Sequence, residues 1–213
     1  MSTLAIIDYG MGNLHSIAKA VEHVAEATRV IVSSDADDIM AADRVVFPGV
    51  GGIGHTMEEL SRTGLSEVVR QSAASKPMLC ICVGMQALFE RSEENQGTDC
   101  LGLVAGEVRR FPENMHASDG GKLKVPHMGW NQVHQRPHPL WQDIEQDSRF
   151  YFVHSYYAAP ADKSLQAATS DYGREFCCAL AHENLFAVQF HPEKSQRAGL
   201  KLLQNFSRWN GQR

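Results

Sequence analysis

Three side chains in this sequence have the types and spacing to break a carbonyl bond: Cys82, His191 and Glu193. Cys82 ends the apolar run Met78-Leu79-Cys80-Ile81 and precedes Val83-Gly84-Met85 and a helix-like stretch, Gln86-Ala87-Leu88-Phe89-Glu90. A cysteine on a tight strand-to-helix turn is lifted above the sheet edge, and the following backbone N–H groups point at whatever it attacks. The helix N-terminus favours its thiolate. Cys80 and Gly84, two residues either side, are small enough for such an elbow. Far downstream, the apolar strand Phe186-Ala187-Val188-Gln189-Phe190 ends in His191-Pro192-Glu193. A nucleophilic thiol needs a base within hydrogen-bond reach and a third group to hold that base. Residues i and i+2 face the same way in extended chain, so Glu193 can bond one imidazole nitrogen while the other faces Cys82. Taken singly, His191 is a strand end and Glu193 an acidic first-turn residue. Taken with Cys82, each at the C-terminal end of a parallel strand, they read as a triad.

The elements that must position this triad alternate. Leu4-Ala5-Ile6-Ile7 is a short apolar strand ending at Asp8-Tyr9-Gly10-Met11-Gly12-Asn13. Asn13 is positioned to cap a helix whose Leu14, Ile17, Ala18, Val21 and Val24 keep helical spacing. Residues 28–32 predict a second strand, Ser34 or Asp35 starts a brief helix, and Val45-Val46-Phe47 forms a third strand breaking at Pro48. Residues 60–74 predict a helix, and Pro77 admits the fourth strand. Unbroken apolar strands separated by helices imply a mainly parallel central sheet covered on both faces, a flavodoxin-like three-layer α/β fold. From about Gly106 the pieces 104–111, 130–134, 150–154, 165–169 and 177–181 read as partly antiparallel strands. Residues 195–209 predict a closing helix with Leu200, Leu202, Leu203 and Phe206 inward.

Composition narrows the function classes. The 213 residues, 43% hydrophobic, suit one globular domain (1–213) with a full core and no need of disulfides. Five cysteines without CxxC or Cys/His zinc spacing indicate a reduced, cytoplasmic compartment and no metal or other cofactor. The N-terminus lacks a basic leader, and no segment approaches the roughly 18 apolar residues of a membrane span. A net charge of -5 with no dense Lys/Arg block argues against nucleic acid. His134 and His138, among Gln, Arg and Pro, read as solvated loop residues.

The segment Pro48-Gly49-Val50-Gly51-Gly52-Ile53-Gly54 is glycine-rich after a strand, but it has neither the Gly-Lys-Ser/Thr ending nor the GxGxxG spacing of phosphate loops. It serves better as a backbone strip approaching Cys82. An oxyanion hole needs a second donor besides the N–H after the nucleophile, making Val83 and Val50 or Gly51 the candidate donors.

These residues resemble the class I (triad) glutamine amidotransferases: an elbow cysteine, a distant His-Pro-Glu and a Gly-rich loop after the third strand. Within that group the sequence is most similar to the glutaminase subunits of imidazole glycerol phosphate synthases, over nearly its whole length. The similarity lies in Asp8-Tyr9-Gly10-Met11-Gly12-Asn13, in Pro48-Gly49-Val50-Gly51 and, most specifically, in Pro126-His127-Met128-Gly129-Trp130-Asn131. One departure is Cys80, where the family usually has Gly.

The resemblance implies glutamine hydrolysis at Cys82 through a thioester. The ammonia then passes to a separate (β/α)8 barrel cyclase subunit, which makes imidazole glycerol phosphate and AICAR in histidine biosynthesis. By position it implies that Gln86 and Glu94 hold substrate glutamine and that His154-Ser155-Tyr156 contact its α-amino and carboxylate groups. It also implies that Trp130, Tyr151, Lys194 and Asn13 face the barrel. Met128 lies beside the aromatic anchor Trp130. A peptide flip in Gly49-Val50-Gly51 would exchange a carbonyl for an N–H in the oxyanion hole, so a residue at Gly49 that blocks it should lower partner-stimulated turnover. Three other classes share parts of this pattern. Subunits serving anthranilate or pyridoxal phosphate synthesis lack the hexapeptide, a γ-glutamyl peptidase would act alone, and a flavodoxin-like binding module would leave Cys82 as a core thiol.

Overall fold

The computed structural model describes residues 2–117 and 120–212. In the first half, strands and helices alternate: β1 (Ser2–Ile7), α1 (Leu14–Val24), β2 (Thr28–Ser33), α2 (Ala36–Ala41), β3 (Arg44–Gly49), α3 (Ile53–Thr63), α4 (Leu65–Ser75) and β4 (Met78–Cys82). One turn of helix, α5 (Val83–Gln86), follows, then the short strands β5 (Arg91–Ser92), β6 (Thr98–Asp99) and β7 (Gly106–Arg110). The second half is largely strand: β8 (His127–Gln132), β9 (His134–Gln135), β10 (Arg149–His154), β11 (Tyr156–Pro160), β12 (Gln166–Asp171), β13 (Glu175–His182) and β14 (Leu185–Val188). Helix α6 (Gln196–Arg208) ends the sequence of elements.

The sheet runs β2-β1-β3-β4-β14-β13-β11-β7-β5-β6. From β2 to β14 neighbours are parallel; β13 and β11 join antiparallel. The chain leaves β1 toward β2 and returns past it to β3. Right-handed crossovers in opposite directions put helices on both faces. Accordingly α1 packs with α6, while α4 packs with α2 and α3. The five residues of β4 are all buried, as expected of a central parallel strand. β8 and β10 form a separate antiparallel ribbon in which Trp130 opposes Tyr151 and His127 opposes His154.

Several local expectations need correction. β3 does not break at Pro48 but runs through Gly49, which pairs with Cys82. Pro48 brings no N–H to the ladder, yet its carbonyl still accepts a bond from Tyr9. The expected helix over 60–74 is two helices, one beginning at Ile53 and broken from the next at Gly64, and the stretch after the elbow is helical only as far as Gln86. Asn13 stands at the start of α1 without a side-chain capping bond, whereas Asp35 caps α2 through the N–H groups of Asp37 and Asp38. In α6, Leu202, Leu203 and Phe206 are buried but Leu200 is only half-buried. His138 is not a solvated loop residue: its ring accepts from the N–H of Leu140 and packs 4.6 Å from the ring of Phe186. His134 is exposed and pairs with Asp147. The segment between Phe111 and Lys122 carries an isolated bridge, His116 to Lys122, and its residues 118 and 119 lie outside the described residues. Among the described residues no helix is long and apolar enough to cross a membrane, and no group of three His, Cys, Asp or Glu is arranged to hold a metal ion.

Candidate active site

The C-terminal ends of β3, β4 and β14 meet at one rim of the sheet, where doubly wound sheets bind ligands. Cys82, the last residue of β4, has φ 55° and ψ −111°. This is a left-handed backbone that L-residues rarely adopt, and it is the strained turn of a nucleophile elbow. The sequence makes the turn possible two residues later. A Cβ on Gly84 would stand 2.3 Å from the carbonyl oxygen of Phe47, so only glycine lets α5 cross β3 this closely. Gly49 is equally confined, with a Cβ position 2.4 Å from the amide nitrogen of Gly84. A substitution at Gly49 therefore disrupts the elbow itself and cannot isolate a peptide flip. Because α5 is a single turn, its dipole adds little at Cys82; the orientation of the first N–H groups matters more.

His191 and Glu193 reach the same place by a route the extended-chain argument did not foresee. β14 stops at Val188, and Pro192–Lys194 form a 3₁₀ turn, so the two side chains converge across a turn rather than along a strand. His191 Nδ1 lies 2.9 Å from Glu193 Oε1, and both side chains are buried. The second carboxylate oxygen, Oε2, is buried without a hydrogen-bond partner among the described residues. Cys82 and the imidazole line the same cleft, close enough for each to act on the other's charge. Burial opposes charge on this imidazole. The hydrogen bond to Glu193 and the nearness of Cys82 more than compensate and raise its pKa to about 10. The ring thus holds a proton beside the sulfur at neutral pH.

A cleft of about 410 Å³ opens over the sulfur, and Val50, Gly51, Cys82, Val83, Gln86, Glu94, His154, Ser155, Tyr156, His191 and Lys194 all line it. Glu94 is held in place there, as its Oε2 accepts from the N–H of Ile53 at 3.1 Å at the start of α3. Tyr9 supports the strip beside the sulfur. Its hydroxyl donates to the carbonyl of Pro48 at 3.0 Å, and burial pushes the phenol up to about 12, so it keeps the proton it donates.

Gln86 does not simply face the cleft: its Nε2 donates to the carbonyl of Tyr156 at 3.1 Å and to Gln189 Oε1 at 3.0 Å. Gln189 Nε2 in turn approaches Cys82 Sγ at 3.7 Å. Sequence reasoning passed over Gln189, although an amide inside the otherwise apolar run Ala187–Phe190 was a signal that something buried needs a partner. His154 also differs from expectation. Its two ring nitrogens are taken by Tyr156 O at 2.8 Å and His127 at 2.9 Å, so the imidazole sits behind the substrate strip and offers the cleft no free nitrogen.

Of the residues expected to face a partner, Lys194 lines the cleft. Met128 and Trp130, alternate residues of β8, are 62% and 42% exposed, uncommon for side chains this large. The Tyr151 ring meets Trp130 edge-on at 6.1 Å between centroids. Lys194 is exposed at the cleft mouth and Asn13 is half-buried. Cys80, in place of the usual glycine, is wholly buried in β4, and burial raises its thiol pKa well above the ordinary range.

A strained cysteine, an imidazole and a buried glutamate meet at the rim of a doubly wound sheet, an arrangement able to support attack by a thiol on a carbonyl carbon. The sequence profile described as glutamine amidotransferase class-I matches residues 5–208. The chain belongs to that family and, within it, to the imidazole glycerol phosphate synthase HisH subunits. It is 61% identical over 211 residues to imidazole glycerol phosphate synthase subunit HisH of Methylococcus capsulatus, covering 98% of this chain and 97% of that one. The subunit of the same name from Aromatoleum aromaticum is 60% identical, with 98% and 99% covered. Among solved structures, a glutamine amidotransferase at 13% identity superposes with a TM-score of 0.70, covering 96% of this chain and 99% of that one. Another, from Thermotoga maritima, gives 0.59 at 15% identity, covering 92% and 78%. These two likenesses concern the fold.

Proposed function

We propose that this chain is the glutaminase half of a heterodimer in which a (β/α)8 barrel cyclase subunit receives its ammonia. The observation that carries the reading is the meeting of Cys82 with the hydrogen-bonded pair His191–Glu193 at a cleft that the Glu94 carboxylate also lines. Glutamine enters with its ammonium toward Glu94 and its carboxylate toward the backbone of Ser155 and Tyr156, satisfying both charges of a zwitterion. The Cys82 thiolate adds to the side-chain carboxamide carbon. The oxyanion that forms turns toward the N–H of Val83 and the Val50-Gly51 strip. His191 gives its proton to the amide nitrogen, which leaves as ammonia, and a thioester remains. Neutral His191 then removes a proton from water, the hydroxide attacks the thioester, and glutamate departs with Cys82 restored. Glu193 keeps the imidazole in the tautomer and orientation both steps need. Ammonia is useful only unprotonated, so it passes directly into the partner docked on Met128, Trp130, Tyr151, Lys194 and Asn13. The barrel uses it to make imidazole glycerol phosphate and AICAR. The test is Cys82→Ala in the reconstituted heterodimer with the barrel's own substrate present. Glutamate release should vanish while cyclisation driven by added ammonium salt continues; sustained glutamine turnover would refute the reading.

A further inference from the structure

We propose that His127 and His154 are positioning residues for the glutamine site, forming a tautomer-locked link between the exposed β8 ribbon and the two amides that flank Cys82. The inference rests on the glutaminase reading above for its activity readout, and on geometry for the rest.

The link can be traced donor by donor. Tyr156 O is a carbonyl and can only accept, so His154 Nδ1 carries the hydrogen of their 2.8 Å bond. Both histidines are buried, 6% and 3% exposed, and burial lowers their pKa values to about 3 for His154 and about 4 for His127. Each ring therefore has one N–H. His154 Nε2 is then bare and accepts from His127 Nδ1 at 2.9 Å. That leaves His127 Nε2 bare, and it accepts from Asn131 Nδ2 at 3.3 Å, whose other hydrogen goes to the carbonyl of Asp171 at 2.7 Å. In the other direction Tyr156 O also accepts from Gln86, Gln86 donates to Gln189, and Gln189 approaches the sulfur. Every donor along this path has one acceptor it can use, so reversing any ring would face two donors or two acceptors toward each other.

The position of the link gives it a use. His127 and Asn131 lie on one face of β8, and Met128 and Trp130 are exposed on the other. The His127 ring is held between Phe152 and Tyr172, stacked at 4.8 and 4.0 Å. A displacement of β8 when its outer face is covered thus moves the inner-face imidazole. That movement is passed through His154 to the Tyr156 carbonyl that orients Gln86 and, through it, Gln189. A fully satisfied buried network transmits such shifts because no member can rotate alone.

Two measurements test this. In the full chain, 15N-resolved NMR of the imidazoles should show His127 and His154 each protonated on Nδ1 only; an Nε2–H form of His154 overturns the inference whether or not the chain is a glutaminase. In the heterodimer, His127→Phe keeps the stacking but removes the donor, whereas His127→Asn keeps a donor near the Nδ1 position and leaves a void. A merely structural His127 requires activity to follow stability, with Phe the better variant. The inference requires the reverse: kcat for glutamine lowered about tenfold in His127→Phe, the scale of one positioned hydrogen bond, and largely rescued in His127→Asn despite its lower melting temperature. Activity that follows stability overturns it. Failure of the wild-type heterodimer to turn over glutamine would instead refute the glutaminase reading and leave the tautomer measurement decisive.

Discussion

The amide N–H of His191 donates to the carbonyl of Tyr151 at 2.9 Å, so the His191 turn hangs from the strand residue whose ring packs on Trp130. The N–H of Tyr151 is bound as well, to Ser195 Oγ at 2.9 Å, and Ser195 Oγ donates to the His191 carbonyl at 2.6 Å. Both backbone groups of one ribbon residue are thereby tied to the turn that carries the base. A partner that grips Trp130 and Tyr151 grips the backbone of the turn that carries His191.

Trp130→Ala should weaken binding of the barrel subunit at least about tenfold, since a large aromatic at an interface centre is the commonest energetic anchor. Its exposure in the free chain means the melting temperature should move little. Titration calorimetry against the barrel subunit reads the first and differential scanning calorimetry the second.

Gly84→Ala should destabilise the chain by about 1–3 kcal/mol, because the added methyl meets the backbone oxygen of Phe47 and backbone cannot swing aside as a side chain can. Urea titration measures this. Glutaminase turnover should fall with it, since relief of the clash must tilt α5 and the N–H groups over the cleft.

Thiol labelling of the folded chain should resolve the five cysteines by burial and site. Cys82 lines the cleft and should react first with iodoacetamide, followed by the half-buried Cys100, whose thiol is pushed up to about 11 chiefly by burial. Cys80, Cys177 and Cys178 should react only after unfolding, as burial raises all three. Peptide mass spectrometry over a time course reads the order, and early modification of Cys80 would contradict it.

Stability should fall on both sides of neutrality for separate reasons. His191 titrates near 10 when folded against an ordinary 6.5. Its contribution is complete below pH 6.5 and is lost as pH rises through about 10, where the folded state still binds a proton that the unfolded chain has released. His127 and His154 have the opposite sign, with folded values near 4 and 3 against 6.5. Their contribution is present above pH 6.5 and is lost as pH falls, because the unfolded chain takes up protons the core refuses. Unfolding free energies from pH 4 to 10 should show a shallower acid-side loss in His127→Phe and a shallower alkaline loss in His191→Asn.

Much of this was legible without coordinates. The apolar runs of β1, β3 and β4, each followed by turn residues and helical spacing, define a parallel α/β sheet because only a strand covered on both faces can be apolar throughout. The same runs fix which residue ends each strand, so Cys82 at a rim beside a glycine strip follows from local pattern, and so does the vicinity of His191. Less legible was how His191 and Glu193 meet. The strand period puts residues two apart on a common side, but the chain turns at Pro192 into a 3₁₀ segment, and it is that turn that brings the two side chains together.

The sequence by itself determined the alternating strands and helices of the first half and the place of Cys82 at a strand end, since each depends on periodicity or on residue type near in the chain. Only tertiary structure decided that Gln189 reaches the sulfur, that Tyr9 holds Pro48, and that His127 and His154 share a hydrogen bond. Those contacts join residues far apart in the chain, and which of a polar side chain's possible partners it takes depends on which strands the fold sets side by side. An imidazole's tautomer is decided at the last step of all, because it depends on what its neighbours' neighbours donate.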